Sequence, residues 1–333
     1  MMRRFAPGAA LILVILTGAC APVEIPPGAG QQQPALNQSS LISFDGTALP
    51  LRRWLPEVDR PDAVILALHG FNDYANAFST PAPWFTQQNL AVFAIDQRGF
   101  GDAPGRGYWH SETALTGDVA AALDLLGQRY PGIPLYLMGV SMGGAVALAS
   151  LTDPRVSRAV QGTILLAPAI WGASTQPWWQ RGGLWLFAHT IPWMRPTGQG
   201  LGIQASDNIE MLRGLGRDPK VIKKTRIDAV YGLVRLMDSA LLASRGLKTP
   251  ALVLYGAKDE VIPPKPTRQM LRNLPPDTAE RRRIAVYPEG WHMLLRDLQG
   301  EVVWRDIASW IRRPEDPLPS GAEAYTKTFM TRD

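Results

Sequence analysis

The sequence predicts an α/β fold, a mostly parallel sheet with helices on both faces and a helical insertion above it. Three observations predict it. Short apolar runs such as residues 63–69 have strand length and no alternation, as expected of strands buried on both faces. These runs take turns with longer helical stretches, the pattern of crossover-connected parallel strands. The alternation breaks once, at residues 170–245, between two strands that one helix would otherwise join.

The elements follow in order. Residues 41–44 and 48–55 flank Asp45-Gly46, a hairpin turn signal. Strand 63–69, a helix around 82–89, strand 91–95 and helix 112–129 come next. Strand 134–139, helix 142–152 and strand 162–167 precede the insertion. The insertion holds five of the 11 tryptophans (Trp171, Trp178, Trp179, Trp185 and Trp193), and its second half, residues 207–243, is helical in pattern. After it the alternation resumes with strand 250–255, helix 265–273, strand 283–287 and helix 297–312. One domain over residues 41–312 accounts for these elements, and the Pro-rich tail 313–333 is expected to fray.

Composition excludes several function classes. With 46% hydrophobic and 19% charged residues in 333, the chain can bury a large core and is not disordered. The net charge of +5 is small and its basic residues are scattered, so no nucleic-acid partner is expected. A single cysteine excludes an intrachain disulfide and a multi-cysteine zinc site. Only four histidines make a His-rich metal site unexpected, and neither metal nor cofactor is called for.

The N-terminus carries Arg3-Arg4, then an uncharged run from Phe5 to Cys20 with an aliphatic centre at residues 11–16. This is the layout of an export signal, shorter than a spanning helix needs. Leu16-Thr17-Gly18-Ala19-Cys20 resembles a bacterial lipoprotein lipobox. The resemblance implies a signal over residues 1–19, an acylated Cys20 and attachment to a membrane of the cell envelope. By the same resemblance, Ala21 after the cysteine favours the periplasmic face of the outer membrane. Residues 20–40, rich in Pro, Gly and Gln, are expected to form a flexible tether.

The chemistry centres on Gly139-Val140-Ser141-Met142-Gly143-Gly144, between an apolar strand and an Ala-rich helix. A nucleophile on a tight strand-to-helix turn needs minimal side chains two residues to either side, and Gly139 and Gly143 supply them. Ser141 is the candidate nucleophile. Of the histidines, His292 follows the last strand and reaches the same sheet edge, so it is the candidate base. His69 reads as a structural brace, His110 as a possible pocket lining and His189 as a packing or rim residue. Asp259, just beyond strand 250–255, is the candidate partner of the base. It is preferred to Glu260 because residues 261–263 look like the buried start of a helix. The amides of Phe71 and Met142 are the candidate oxyanion donors.

Taken in chain order, His69-Gly70-Phe71, residues 96–101, 139–144 and 256–259, and Gly290-Trp291-His292 resemble the α/β-hydrolases. Within that family the chain is most similar to the monoacylglycerol lipase / lysophospholipase (serine-aminopeptidase-like) branch. Ser206-Asp207 and Arg217-Asp218-Pro219 resemble that branch's cap. The resemblance implies a serine ester hydrolase acting on acylglycerol or lysophospholipid-type acyl esters as its small-molecule substrates. An amidase or aminopeptidase on the same residues, or an envelope lipid-binding protein without turnover, are the alternatives. The tryptophans of the insertion fit an acyl tunnel, a membrane-facing lid or the cap's own small core.

Overall fold

A computed structural model describes residues 21–30, 32–198, 200 and 202–331. The expected signal 1–19 and acylated Cys20 lie outside the described residues. The strands are β1 (Glu24–Ile25), β2 (Ala35–Leu36), β3 (Ser40–Ile42), β4 (Ala48–Trp54), β5 (Ala63–Leu68), β6 (Leu90–Ile95), β7 (Trp109–His110), β8 (Leu135–Val140), β9 (Gly162–Leu166), β10 (Ala251–Gly256) and β11 (Arg282–Tyr287). The helices are α1 (Pro81–Gln87), α2 (Glu112–Arg129), α3 (Met142–Ser150), α4 (Pro154–Ala159), α5 (Trp178–Thr190), α6 (Ile209–Arg217), α7 (Ile227–Ala243), α8 (Pro264–Asn273), α9 (Gly300–Arg312) and α10 (Glu323–Thr331).

Nine strands form the main sheet in the order β11-β10-β9-β8-β5-β6-β4-β3-β2. The pairs from β6 to β11 are parallel, and β4, β3 and β2 add an antiparallel edge. Alternation along β5 explains its apolar sequence. Val64, Leu66 and Leu68 face one core layer, and Ala63, Ile65 and Ala67 face the other. The chain runs from β5 outward to β6, then back across β5 to β8. The loops after β5 and β8 therefore part at the sheet's carboxyl edge, where open α/β sheets bind ligands.

Local signals explain the helix starts. Ser111 caps α2 by accepting from the Ala114 N–H at 3.2 Å, and Asp153 caps the short α4, which the sequence pattern does not predict. The insertion forms α5, α6 and α7, with α7 packed against α3. Asp45-Gly46 does turn the β3–β4 hairpin, with Gly46 at φ +82°.

Both chain ends depart from expectation. The stretch read as a flexible tether lies along the domain. Its β1 pairs in parallel with β7, and the Gly28 N–H donates to Asp45 Oδ2 at 2.7 Å. The tail does not fray. Its α10 covers β11, burying Phe329 against Tyr255 with ring centroids 5.1 Å apart. In each case contacts with distant residues supply the order that local composition lacks.

Candidate active site

Ser141 closes β8 and opens α3 with φ +51° and ψ −115°, a conformation an L-residue holds only when its surroundings over-determine it. The elbow leaves no room for side chains around it. A Cβ on Gly139 would lie 2.3 Å from the Gly143 oxygen, and one on Gly143 would lie 2.1 Å from the Leu68 oxygen. The Ser141 N–H donates to Leu166 O at 2.9 Å, tying the elbow to β9. Ser141 is 9% exposed.

The loop after β5 lies beside it. A Cβ on Gly70 would be 3.4 Å from Ser141 Cβ. Gly70 O accepts from His69 Nδ1–H at 2.8 Å and from the Asp73 N–H at 3.3 Å. A trans peptide then aims the Phe71 N–H the opposite way. The amides of Phe71 and Met142 meet no protein acceptor among the described residues. His69 is fully buried, and its Nε2 accepts from the Gln97 N–H at 2.9 Å. Burial lowers its pKa, so the ring is neutral with both nitrogens committed to bracing the loop. Asp96 adds a second brace by accepting from the Ala75 and Asp102 amides, each at 2.9 Å.

Asp259 and His292 meet. Nδ1–H of His292 donates to Asp259 Oδ2 at 2.8 Å, and the other carboxylate oxygen accepts from the Val261 and Ile262 amides at 2.8 and 2.9 Å. The carboxylate is thus fixed on one side and the imidazole on the other, which leaves Nε2 as the available base. Glu260 turns away, accepting from the Gln204 N–H of the insertion at 2.7 Å.

The His292 loop is held by residues that sequence reasoning missed. Asp297 accepts from the Trp291 N–H at 2.8 Å and from the Ser206 hydroxyl at 2.6 Å. Burial raises the Asp297 pKa against both donors. Arg296 reaches Asp73, at 2.5 Å, with both side chains nearly buried. That ion pair joins the loop bearing His292 to the loop bearing Phe71, beside Ser141. No spacing in the sequence signals it, since the two residues are 223 apart.

Of the remaining histidines, His110 is buried in β7, and burial with the nearby Arg98 guanidinium pushes its ring down to about 4. His189 stacks on Trp185 in the insertion, with ring centroids 4.5 Å apart. Neither shares the geometry of His292. A hydroxyl on a strained elbow, a carboxylate-held imidazole and two unclaimed amides form the set that acyl transfer uses.

Known proteins resemble this chain in sequence and in fold. A family profile described as "Serine aminopeptidase, S33" matches residues 59–299. A monoacylglycerol lipase of Mycolicibacterium smegmatis is 24% identical over 290 residues, covering 83% of this chain and 96% of that protein. A phospholipase of Bacillus subtilis is 26% identical over 215 residues, covering 63% and 80%. Among solved structures, a soluble variant of the Saccharomyces cerevisiae monoglyceride lipase, in complex with a substrate analog, superposes with a TM-score of 0.68 at 21% identity. It covers 87% of this chain and 98% of that one.

Proposed function

Because this chain belongs to the serine aminopeptidase S33 family of hydrolases, we propose that it is a serine ester hydrolase acting on acylglycerol or lysophospholipid-type acyl esters. The observation that carries the reading is the His292–Asp259 contact of 2.8 Å at the sheet edge where Ser141 stands on its elbow. The similarity to lipases and a phospholipase supports the ester side over the amide side.

The residues act as follows. Ser141 Oγ attacks the ester carbonyl carbon while its proton passes to His292 Nε2. The carbonyl electron pair moves onto oxygen, where the Phe71 and Met142 N–H groups hold it; one such donor is worth about 10²–10³ in turnover. Asp259 keeps the tautomer and stabilises the imidazolium. Collapse breaks the carbon–oxygen bond, and His292 returns the proton to the leaving alcohol. Water, deprotonated by the same imidazole, then releases the acid from Ser141. No step calls for a cofactor.

Labelling by a fluorophosphonate tests this. The unaltered chain should label and Ser141→Ala should not; equal labelling, or none in either, overturns the assignment. Turnover of p-nitrophenyl esters against amino-acid anilides separates esterase from amidase. The same proposal places the chain in the bacterial envelope, anchored through an acylated Cys20 on the periplasmic face of the outer membrane. The lipobox-like Leu16–Cys20 supports it. Incorporation of labelled palmitate that persists in Cys20→Ala would refute that anchor.

A further inference from the structure

The insertion presents an uncovered aromatic face. On α5, Trp178, Trp179, Trp185 and Leu186 stand at i, i+1, i+7 and i+8, one side of a helix, and all are at least half exposed. Trp178 is 79% exposed. Trp193 and Met194, just past the helix, are exposed as well, and Ala188 is the one buried residue of α5. Proteins rarely leave such a patch to water, and indoles favour a boundary with apolar groups on one side and water on the other. Residues 170–206 contain no Asp or Glu, while Arg181 and Arg195 are exposed on the same stretch. No carboxylate of this segment opposes an anionic headgroup.

The chain enters the fold at the rim of that face. The Val23 N–H donates to Asp228 Oδ2 at 3.4 Å, Glu24 pairs with Arg235 at 3.0 Å, and Ile25 O accepts from the Ser111 N–H at 2.9 Å. Pro22, Val23 and Glu24 line a cavity of about 190 Å³ together with His189 and Tyr231. His189 is the ring that stacks on Trp185. Cys20 is two residues upstream of Pro22, at most about 7 Å of extended chain, and the apolar run lies before it.

We propose that the tryptophan face of α5 docks on a lipid bilayer bearing anionic headgroups, and that residues 22–28 are a strap holding it against the membrane that anchors the N-terminus. The strap rests on the anchored reading above; the docking face does not. With the strap closed, the face stays within reach of the surface, as a short link raises the effective concentration of a second binding module. A free tether would let the domain turn away.

Full-length protein in phosphatidylcholine–phosphatidylglycerol vesicles with brominated acyl chains tests this, because bromine quenches only indoles that enter the bilayer. The unaltered chain should show a quenched fraction. W178S/W179S/W185S/W193S should lose it while keeping hydrolysis of a short water-soluble ester. Inserting about twenty Gly/Ser residues after Ala21, which keeps every tryptophan and so needs no folded quadruple variant, should cut the quenching by half or more. Parental quenching in the quadruple variant, or none in the unaltered chain, overturns the docking face. So does a face that instead buries against a second copy, seen as a dimer lost in that variant. Unchanged quenching after the insertion overturns the strap. Loss of ester hydrolysis in every chain with quenching as expected would defeat the hydrolase reading alone.

Discussion

The two halves of the insertion are held on opposite terms. Residues 204–228 are bonded to each loop that carries a group of the site. Ala205 O accepts from the Met293 N–H, Asp207 from the Leu298 N–H, and Asp218 from the Tyr74 hydroxyl. Asn72, at φ +65° in the Phe71 loop, accepts from the Ile222 N–H and donates to Thr225. By contrast, α5 packs on α7, and its side-chain hydrogen bonds among the described residues stay inside the helix, from His189 to Trp185 O and from Thr190 to Leu186 O. One half of the insertion extends the scaffold of the site, and the other presents a surface. An insertion over an active site need not move, or matter to stability, as a single piece.

Three substitutions probe that contrast, from the largest expected effect to the smallest. Arg296→Met strands the nearly buried Asp73 carboxylate and unlinks the two loops of the site. It should cost about 3 kcal/mol in urea unfolding, with turnover falling more than substrate affinity. An unchanged midpoint would mean that the scaffold half does not depend on this clamp.

His110 probes the junction of the arm with the body, since its backbone pairs with Ile25. Its folded pKa, about 4, lies below the ordinary histidine value of 6.5, so the unfolded chain binds the extra proton between those values. Stability is full above 6.5, falls as the pH drops through that window, and levels off below about 4. Between pH 7 and 5 the unaltered chain should lose about 2 kcal/mol more than His110→Gln. Parallel pH profiles of the two proteins would remove His110 as the cause.

The smallest effect belongs to the exposed half. Trp179→Ser should change the unfolding free energy by less than about 0.5 kcal/mol, because the side chain is 60% exposed. A loss of several times that would place α5 with the scaffold and erase the contrast.

The sheet was legible because strands buried on both faces read as unbroken apolar runs, as residues 63–68 do. The places of Ser141, Asp259 and His292 were legible because each lies one to five residues past a strand whose carboxyl end is at one edge. What local sequence could not carry is pairing over distance. Arg296 with Asp73, and Ser206 with Asp297, obey no periodicity and emerge only when loops meet. The N-terminal arm was misread for the same reason. Its Pro and Gly content describes a chain without internal structure, yet its partners are Trp109, Asp228 and Arg235. In the tail, Tyr325 and Phe329 stand four apart on one helix face, a signal outweighed by the prolines around it.

The arm also sets an order of events. The carboxylate that Val23 bonds arrives 205 residues later in the chain. Closing so long a loop draws its entropy cost from contacts that already exist, so the bonds of Val23 and Glu24 form only on a finished α7. A chain interrupted before Asp228 holds the elbow, most of the sheet and the arm's other partners, β7 and Asp45, but leaves the Val23 amide and the Glu24 carboxylate without theirs. Part of the arm therefore waits on sequence far behind it, and a fully seated arm is a record that the insertion has been assembled.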